Sequence, residues 1–315
     1  MIGTIIGDIA GSRFEFNNHK SKDFVLFHEK SRFTDDSVMT IAIGKALLDC
    51  EGDRSKLAAC AAAAMKSIGR QYKDCGYGAR FYKWLFSESV QPYNSYGNGA
   101  AMRVSACAYA AESIDDVKLL SREVTATTHN HPEAIKGAEA VAAAGYLALS
   151  GCSKTELREY IHRNYYALDF TIDEIRESYT FDVSCGGTVP QAIEAFLESE
   201  NFEDAVRTAV SLGGDSDTLA AIAGGIAEAF YGVPSGLRGG PGALPPLRAP
   251  VQPHASPLRH RTHKQRARPA RGHRPFDLRP AREGAFLLRG KRGRLRHHRR
   301  PGGAPVEFSR GHGAQ

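Results

Sequence analysis

Two short acidic segments, far apart in the chain, carry the residue types that bind hard metal ions. The first is Thr34-Asp35-Asp36, and the second is Asp215-Ser216-Asp217-Thr218, which follows Gly213-Gly214. Two carboxylates at positions i and i+2, with a hydroxyl at i+3, can converge on one point where the chain turns into a helix. The two glycines allow a tight turn there. Magnesium prefers oxygen ligands of this kind.

Helix capping is the second interpretation of each segment. Asp, Ser and Thr are common at helix N-termini because they accept hydrogen bonds from free backbone N–H groups and suit the helix dipole. Together the two segments hold four carboxylates and two threonine hydroxyls. If the fold brings them together, their mutual repulsion calls for bound cations. The spacing alone leaves both interpretations open.

The elements that must position these segments are predicted to be helices. Apolar residues recur at helical spacing through most of residues 1–235, and this pattern predicts an all-α fold with glycine-rich loops between the helices. The predicted helices are 36–48, 57–68, 80–86, 100–111, 114–125, 132–149, 154–165, 188–199, 202–212 and 216–231. The best strand candidate is the short segment 23–27.

The composition changes abruptly near residue 235, which predicts a globular domain over 1–235 and a non-globular basic tail over 236–315. The tail holds 11 of the 15 prolines, and its 17 Arg and 2 Lys face 3 acidic residues, for a formal charge of +16. Residues 1–235 carry −10, so the net +6 of the whole chain is no evidence for nucleic-acid binding.

Three explanations compete for the tail, which has too little apolar surface to offset its chain entropy. It is a solvated disordered segment, a basic arm that binds nucleic acid or another anion, or a product of translation out of frame in a GC-rich gene. We favour the third, because the break follows a well-patterned helix directly.

Cellular location is predicted from what the sequence does not contain. No run of about 18 apolar residues is present, and the first residues lack the basic start of a signal peptide. The six cysteines are scattered without a CxxC pair, as expected of reduced thiols. We therefore expect a cytoplasmic protein with no membrane contact.

Five segments, in one order over residues 1–232, resemble the ADP-ribosylglycohydrolases. That family includes the dinitrogenase reductase-activating glycohydrolase and the human ADP-ribosyl-acceptor hydrolases. The segments are GDIAGSRFE at 7–15, FTDDS at 33–37, SYGNGAAMR at 95–103, THNHP at 128–132 and LGGDSDTLAAIAG at 212–224.

The resemblance implies an orthogonal all-α fold with two Mg²⁺, or Mn²⁺, at the base of a cleft. The ions would hold the ribose at the scissile bond and activate a water. Glu15, with Asp35 and Asp36, would be catalytic, and Glu15 would act as acid/base or position the leaving group. An exposed turn is the alternative for Glu15. The implied metal ligands are Thr34, Asp35, Asp36, Asp215, Asp217 and Thr218.

The resemblance also implies which residues bind the ADP-ribose. The loop from Ser95 to Gly99 would wrap the diphosphate and the distal ribose, with Tyr96 stacked on adenine, although by itself the loop is simply a turn. A weaker match suggests a second phosphate-side loop at Gly76 and Gly78. His129 would lie near the ADP-ribose, whereas His131 precedes a proline and has a helix cap as its alternative. The substrate-binding set is Ser95, Tyr96, Gly97, Asn98, Gly99, His129, Gly76 and Gly78.

The implied activity is hydrolysis of the glycosidic bond between ADP-ribose and an acceptor. That acceptor could be arginine, serine, a nucleic-acid end or a small molecule. We also expect the protein to be a monomer. Two functions of other classes compete. One is a non-catalytic ADP-ribose-binding or structural relative, and the other is nucleic-acid binding through the basic tail, with an affinity that falls steeply with salt.

We expect a chain truncated after Ser235 to match the full chain in metal binding and in hydrolysis, because every metal motif lies upstream. Titration calorimetry with Mg²⁺ and the rate of ADP-ribose release measure the two properties. Loss of activity on truncation would show instead that the segment beyond residue 235 contributes to the fold.

Overall fold

The structure, a computed structural model, describes residues 1–239 and builds them from helices, as predicted. Among these residues the strand-type pairing consists of one isolated antiparallel bridge, Gly97 to Ser184. Two 3₁₀ turns cover Arg54–Lys56 and Asn98–Ala100. The α-helices are α1 (Ile2–Gly11), α2 (Asp35–Asp49), α3 (Leu57–Gly69), α4 (Ala79–Phe86), α5 (Ser105–Ala110), α6 (Ile114–Ala126), α7 (Pro132–Leu149), α8 (Lys154–Asn164), α9 (Ile172–Arg176), α10 (Cys185–Glu198), α11 (Phe202–Val210), α12 (Ser216–Tyr231) and α13 (Ser235–Gly239).

The predicted helices agree with the structure to within a few residues at most ends, and α7 and α12 have the predicted bounds. The predicted helix 100–111 begins late, at Ser105, because Asn98–Ala100 forms a 3₁₀ turn first. The predicted strand 23–27 is wrong. Its carbonyl groups accept side-chain hydrogen bonds rather than ladder bonds: Arg207 donates to Phe24 O at 2.6 Å and Arg13 donates to Val25 O at 2.9 Å.

Helix α1, which the sequence pattern did not predict, packs against α12 with backbone in contact with backbone. Gly3, Gly7 and Gly11 recur at every fourth position and so lie on one face of α1. A β-carbon at Gly7 would lie 2.0 Å from the carbonyl oxygen of Ala220, and one at Gly3 would lie 2.3 Å from that of Gly224. Only glycine fits at these positions, and the resulting contact brings the end of α1 to the start of α12.

The core lies around α7, α10 and α12, whose small side chains let the helices pack closely. Residues from Ser216 to Ala227 of α12 are buried, including the polar residues Ser216, Asp217 and Thr218 of its first turn. Alanines fill the buried face of α7. The first turn of α12 therefore begins inside the molecule, where its carboxylates are removed from bulk water.

Two further predictions concern the whole chain. All six cysteines are free thiols, and no helix within residues 1–239 has the length and hydropathy needed to cross a membrane.

Helix α13 begins at the predicted boundary. Residues 240–315, and with them the three explanations of the tail, lie outside the described residues, so the division at residue 235 stays a prediction.

We expect Gly7→Ala to lower the free energy of unfolding by about 3 kcal/mol, because the new methyl group meets backbone atoms of α12 that cannot move aside. Gly44→Ala is the matched control. It lies inside α2, and its near neighbour is the flexible end of the Met1 side chain, 2.8 Å away. Better helix propensity should make this control neutral or more stable by up to about 1 kcal/mol. Urea denaturation measures both, and equal effects would contradict the close contact.

Candidate active site

The two acidic segments meet at the base of one cleft. One carboxylate oxygen from each of Asp8, Asp36 and Asp217 lies within 4.8 Å of the others, and the same holds for Glu15, Asp215 and Asp217. The Thr218 hydroxyl donates to Asp36 Oδ2 at 3.3 Å, across 182 positions of the chain. The fold thus brings together the groups whose meeting the spacing left open.

Helix capping accounts for the Thr34 hydroxyl and leaves the carboxylates of Asp35, Asp36 and Asp215 free of that task. Thr34 is the N-cap of α2 and accepts from the backbone N–H of Asp36. Asp215 has the N-cap position of α12, yet its side chain makes no capping bond there. Its Oδ2 accepts instead from Asn98 Nδ2 at 2.6 Å. Gly213 and Gly214, with φ of +68° and +67°, make the turn that aims it into the cleft.

Asp8 is a member of the cluster that the sequence reasoning missed. It is fully buried, and it accepts hydrogen bonds from the backbone N–H of Thr34 at 2.9 Å and of Ser37 at 3.1 Å. Both hydroxyl groups of those residues donate to it as well. The signal in the sequence was a lone carboxylate between Ile6 and Ile9, since a buried charge needs partners.

Burial and mutual repulsion make these carboxylates resist ionisation. Desolvation, followed by the charge of neighbouring carboxylates, raises the pKa of Asp35, Asp36 and Asp217 well above the usual value. Asp36 Oδ1 is buried and has no hydrogen-bond partner within residues 1–239. A buried carboxylate oxygen without a donor, in a site made only of oxygen ligands, fits a hard divalent cation.

Glu15 lies half-buried just beyond α1, at the edge of this cluster. Burial raises its pKa to about 7; Asp215 adds to the rise, and Arg32 opposes it. The turn interpretation of Glu15 therefore omits its main feature, which is a carboxyl group held beside other carboxylates.

The cluster opens into a cleft of about 440 Å³. The Asn98 N–H donates to Val183 O, and the Cys185 N–H donates to Tyr96 O, so residues 183–185 hold one wall in place. Tyr96 keeps 54% of its surface exposed at the rim. Every predicted site residue except the buried Thr34 lines this cleft: Glu15, Asp35, Asp36, Gly76, Gly78, Ser95, Tyr96, Gly97, Asn98, Gly99, His129, Asp215, Asp217 and Thr218.

Other lining residues were not predicted as site residues. They are Ala79, Arg80, Phe81, Tyr93, Met102, Arg103, Phe181 and Val183. Met102 and Arg103 stand inside the SYGNGAAMR segment, so that motif was the available signal for them. His131 lies outside the lining and caps α7, where its Nδ1 accepts from the Glu133 N–H at 3.1 Å.

Comparison with known proteins identifies the family. The family model for ADP-ribosylglycohydrolase matches residues 1–249. The chain belongs to the ADP-ribosylglycohydrolase family. This places it among hydrolases that remove ADP-ribose from acceptors.

Several curated ADP-ribosylglycohydrolase relatives are similar over about three quarters of the chain. Human ADP-ribosylhydrolase ARH3 is 29% identical, over 74% of this chain and 84% of its own length. The ADP-ribosylarginine hydrolase Tri1 of Pseudomonas putida (strain GB-1) is 27% identical, over 74% and 70%. The ADP-ribosyl-[dinitrogen reductase] glycohydrolase of Rhodospirillum rubrum is 25% identical, over 75% and 86%.

A solved structure supports the fold assignment. It is described as an ADP-ribosylglycohydrolase-related protein complex and is 24% identical to this chain, with a TM-score of 0.56. The match covers 74% of this chain and 87% of the other. The all-α ADP-ribosylglycohydrolase fold is thereby confirmed.

We expect Asp8→Ala and Asp35→Ala to change stability in opposite directions when a chelator is present near neutral pH. Asp8→Ala leaves buried donors of Thr34 and Ser37 without an acceptor, which should cost about 1–3 kcal/mol. Within residues 1–239 the Asp35 carboxylate accepts no hydrogen bond from another residue. Asp35→Ala should therefore raise stability, because the repulsion it removes outweighs the loss of a carboxylate from the first turn of α2. Chemical denaturation measures both. Equal losses would show that hydrogen bonding is not what distinguishes the two residues.

Proposed function

We propose that this chain is a divalent-metal-dependent hydrolase that cleaves the glycosidic bond between ADP-ribose and an acceptor and releases ADP-ribose. One observation carries the proposal: the carboxylates of α1, α2 and α12 converge at the base of a cleft whose wall is the loop from Ser95 to Gly99. Membership of the family supports the reaction class.

The oxygen-rich base of the cleft is the proposed metal site. Two Mg²⁺, or Mn²⁺, are the proposed ions, and the unpartnered Asp36 Oδ1 is an oxygen available to one of them. When bound, such a pair supplies Lewis-acid polarisation and a nucleophile at neutral pH. Asp8 already accepts four hydrogen bonds, and its proposed task is to hold the start of α2. The proposed ligands are Thr34, Asp35, Asp36, Asp215, Asp217 and Thr218.

Glu15, Asp35 and Asp36 are the proposed catalytic residues. Glu15 is half-buried at the edge of the cluster, where it can exchange a proton with the leaving group or orient it. Asp35 is partly exposed and lies beside Gly76, where a β-carbon would be 3.3 Å from its Oδ1. Both residues line the cleft, so the Asp35 carboxylate is accessible to a ligand bound there.

The cleft has the size and chemistry to bind ADP-ribose. Its volume of about 440 Å³ is within the range of small-molecule sites, roughly 300–1,000 Å³. In the Ser95–Gly99 loop the N–H groups of Gly97 and Asn98 are engaged within the protein, so those of Ser95 and Tyr96, with the loop at Gly76 and Gly78, are the ones proposed to approach phosphate oxygens. Arg80 and Arg103 add positive charge to the wall. The exposed ring of Tyr96 offers a face for adenine.

The acceptor is the open part of the proposal. One relative is named for ADP-ribosylarginine and another for dinitrogen reductase, so the comparisons favour no single acceptor. We infer that the substrate is an ADP-ribosylated protein or small molecule. The monomeric state and the cytoplasmic location stay predictions from the sequence.

Four substrates carry ADP-ribose on arginine, on serine, on a DNA end or on a small molecule. With Mg²⁺ or Mn²⁺ present, we expect the protein to release free ADP-ribose from at least one of them. EDTA should abolish release. Asp217→Asn and Glu15→Gln should each lower kcat by about 100-fold or more. Asp49→Asn removes an exposed carboxylate at the far end of α2 and should have no effect. Chromatographic detection of ADP-ribose measures each rate.

Three outcomes would contradict parts of the proposal. Equal rates with and without EDTA would overturn the metal dependence. Tight binding of ADP-ribose without release from any acceptor would indicate a binding module. Loss of activity in Asp49→Asn equal to that in Asp217→Asn would show that the acidic cluster has no special role.

A further inference from the structure

His129 lies in the wall of the cleft with one ring nitrogen engaged and the other free. Its side chain is 5% exposed. Nδ1 lies 2.7 Å from the hydroxyl oxygen of Thr128. Nε2 is directed at the Ser95–Gly99 loop, since β-carbons at Gly97 and Gly99 would be 3.7 Å and 3.4 Å from it. Within residues 1–239, Nε2 has no hydrogen-bond partner.

A buried arginine determines the direction of the hydrogen bond between Thr128 and His129. Arg103 is fully buried, and its Nη2 donates to Thr128 Oγ1 at 2.8 Å. A guanidinium group has donors and no acceptor. The Thr128 hydroxyl must therefore accept from Arg103, and its own proton has to find an acceptor elsewhere.

His129 Nδ1 is the acceptor for that proton. Thr128 is fully buried, so water does not reach its hydroxyl group. In the described part of the chain, Arg103 and His129 are the partners of the hydroxyl. A proton on Nδ1 would leave the buried hydroxyl proton unsatisfied, which is costly. Nδ1 is therefore unprotonated, and the proton of the neutral ring is on Nε2.

The charge around the ring also disfavours the doubly protonated form. Burial, and then the positive charges of Arg103 and Arg80, hold the pKa of His129 well below its usual range. Burial lowers the pKa of Arg103 itself to about 10. Because this value is still well above 7, the guanidinium remains charged at neutral pH. His129 is thus a neutral hydrogen-bond donor and not a proton carrier.

We propose that Arg103 and Thr128 are positioning residues that hold His129 in the Nε2–H form, so that Nε2 donates to an acceptor oxygen of the ligand in the cleft. The identity of that ligand, ADP-ribose, rests on the proposed function. The Nε2–H group faces the loop proposed to bind the diphosphate, and a phosphate oxygen is an acceptor of the matching kind.

Nitrogen NMR of the full-length chain, labelled with ¹⁵N at histidine, reads the tautomer directly. We expect Nδ1 of His129 to show the shift of an unprotonated ring nitrogen and Nε2 that of a protonated one at neutral pH. The spectrum of His129→Gln identifies the signals. A proton on Nδ1, or on both nitrogens, in the wild-type chain overturns the proposal.

Two substitutions at Thr128 test the positioning role. Thr128→Val keeps the shape and removes the hydroxyl group, so the Nε2–H form should give way to a mixture of tautomers. Thr128→Ser keeps the hydroxyl group and should preserve the wild-type spectrum. An unchanged tautomer in Thr128→Val would show that Thr128 does not determine it. If that variant does not fold, as judged by circular dichroism, Thr128→Ala, which also lacks the hydroxyl group, takes its place with the same expected and contrary outcomes.

Ligand binding tests the second half of the proposal. With Mg²⁺ present, Thr128→Val should weaken ADP-ribose binding in calorimetry by about tenfold, the effect of one misdirected hydrogen bond. KM should rise by a similar factor, with a smaller change in kcat. Equal binding by Thr128→Val and wild type would overturn the ligand contact. Absence of ADP-ribose binding by the wild type would instead overturn the proposed function, and the NMR result would stand by itself.

Discussion

The backbone contact between α1 and α12 brings the acidic residues of the candidate site together. Glycines at every fourth position of α1 let the two helices touch, and even a methyl group at Gly7 would overlap a carbonyl oxygen of α12. The contact places Glu15, which follows α1, beside the first turn of α12. Asp8, on α1 itself, holds the start of α2 through Thr34 and Ser37. Separation of these two helices would therefore move Asp8 and Glu15 away from the acidic segment at the start of α12.

The carboxylates of the cluster lie together against their own repulsion, and the surrounding fold holds them there. Burial, and then the neighbouring carboxylates, raise the pKa of Asp36 and Asp217 well above the usual value, so each resists ionisation. Hydrogen bonds from Asn98 to Asp215 and from Thr218 to Asp36 compensate only part of that cost. Natural proteins break the rules of burial and charge mainly at functional sites. The buried, unpartnered oxygen of Asp36 supports the metal site proposed for this cluster.

Capping and the proposed metal binding are compatible tasks of the same short segments. Thr34 caps α2, while the carboxylates of Asp35 and Asp36 remain free for the cleft. Asp215 stands at a helix start and directs its carboxylate to Asn98 instead of the helix backbone. The residue types that cap helices also bind hard cations, so local pattern alone could not separate the two roles.

The sequence by itself determined what depends on neighbours within a few residues. Helical periodicity and end signals predicted the all-α class and helices such as α7 and α12, and five ordered motifs indicated the family. The predicted strand at 23–27 was wrong because its carbonyl groups bond to the distant Arg207. Helix α1 was missed because its glycine face is stabilised by contact with α12, which is also distant in the chain. Only the tertiary structure decided that Asp36 and Thr218 meet across 182 positions, that Asp8 belongs with them, and that Arg103 reaches His129 through Thr128. Each of these depends on close packing between distant helices, which short-range patterns do not encode.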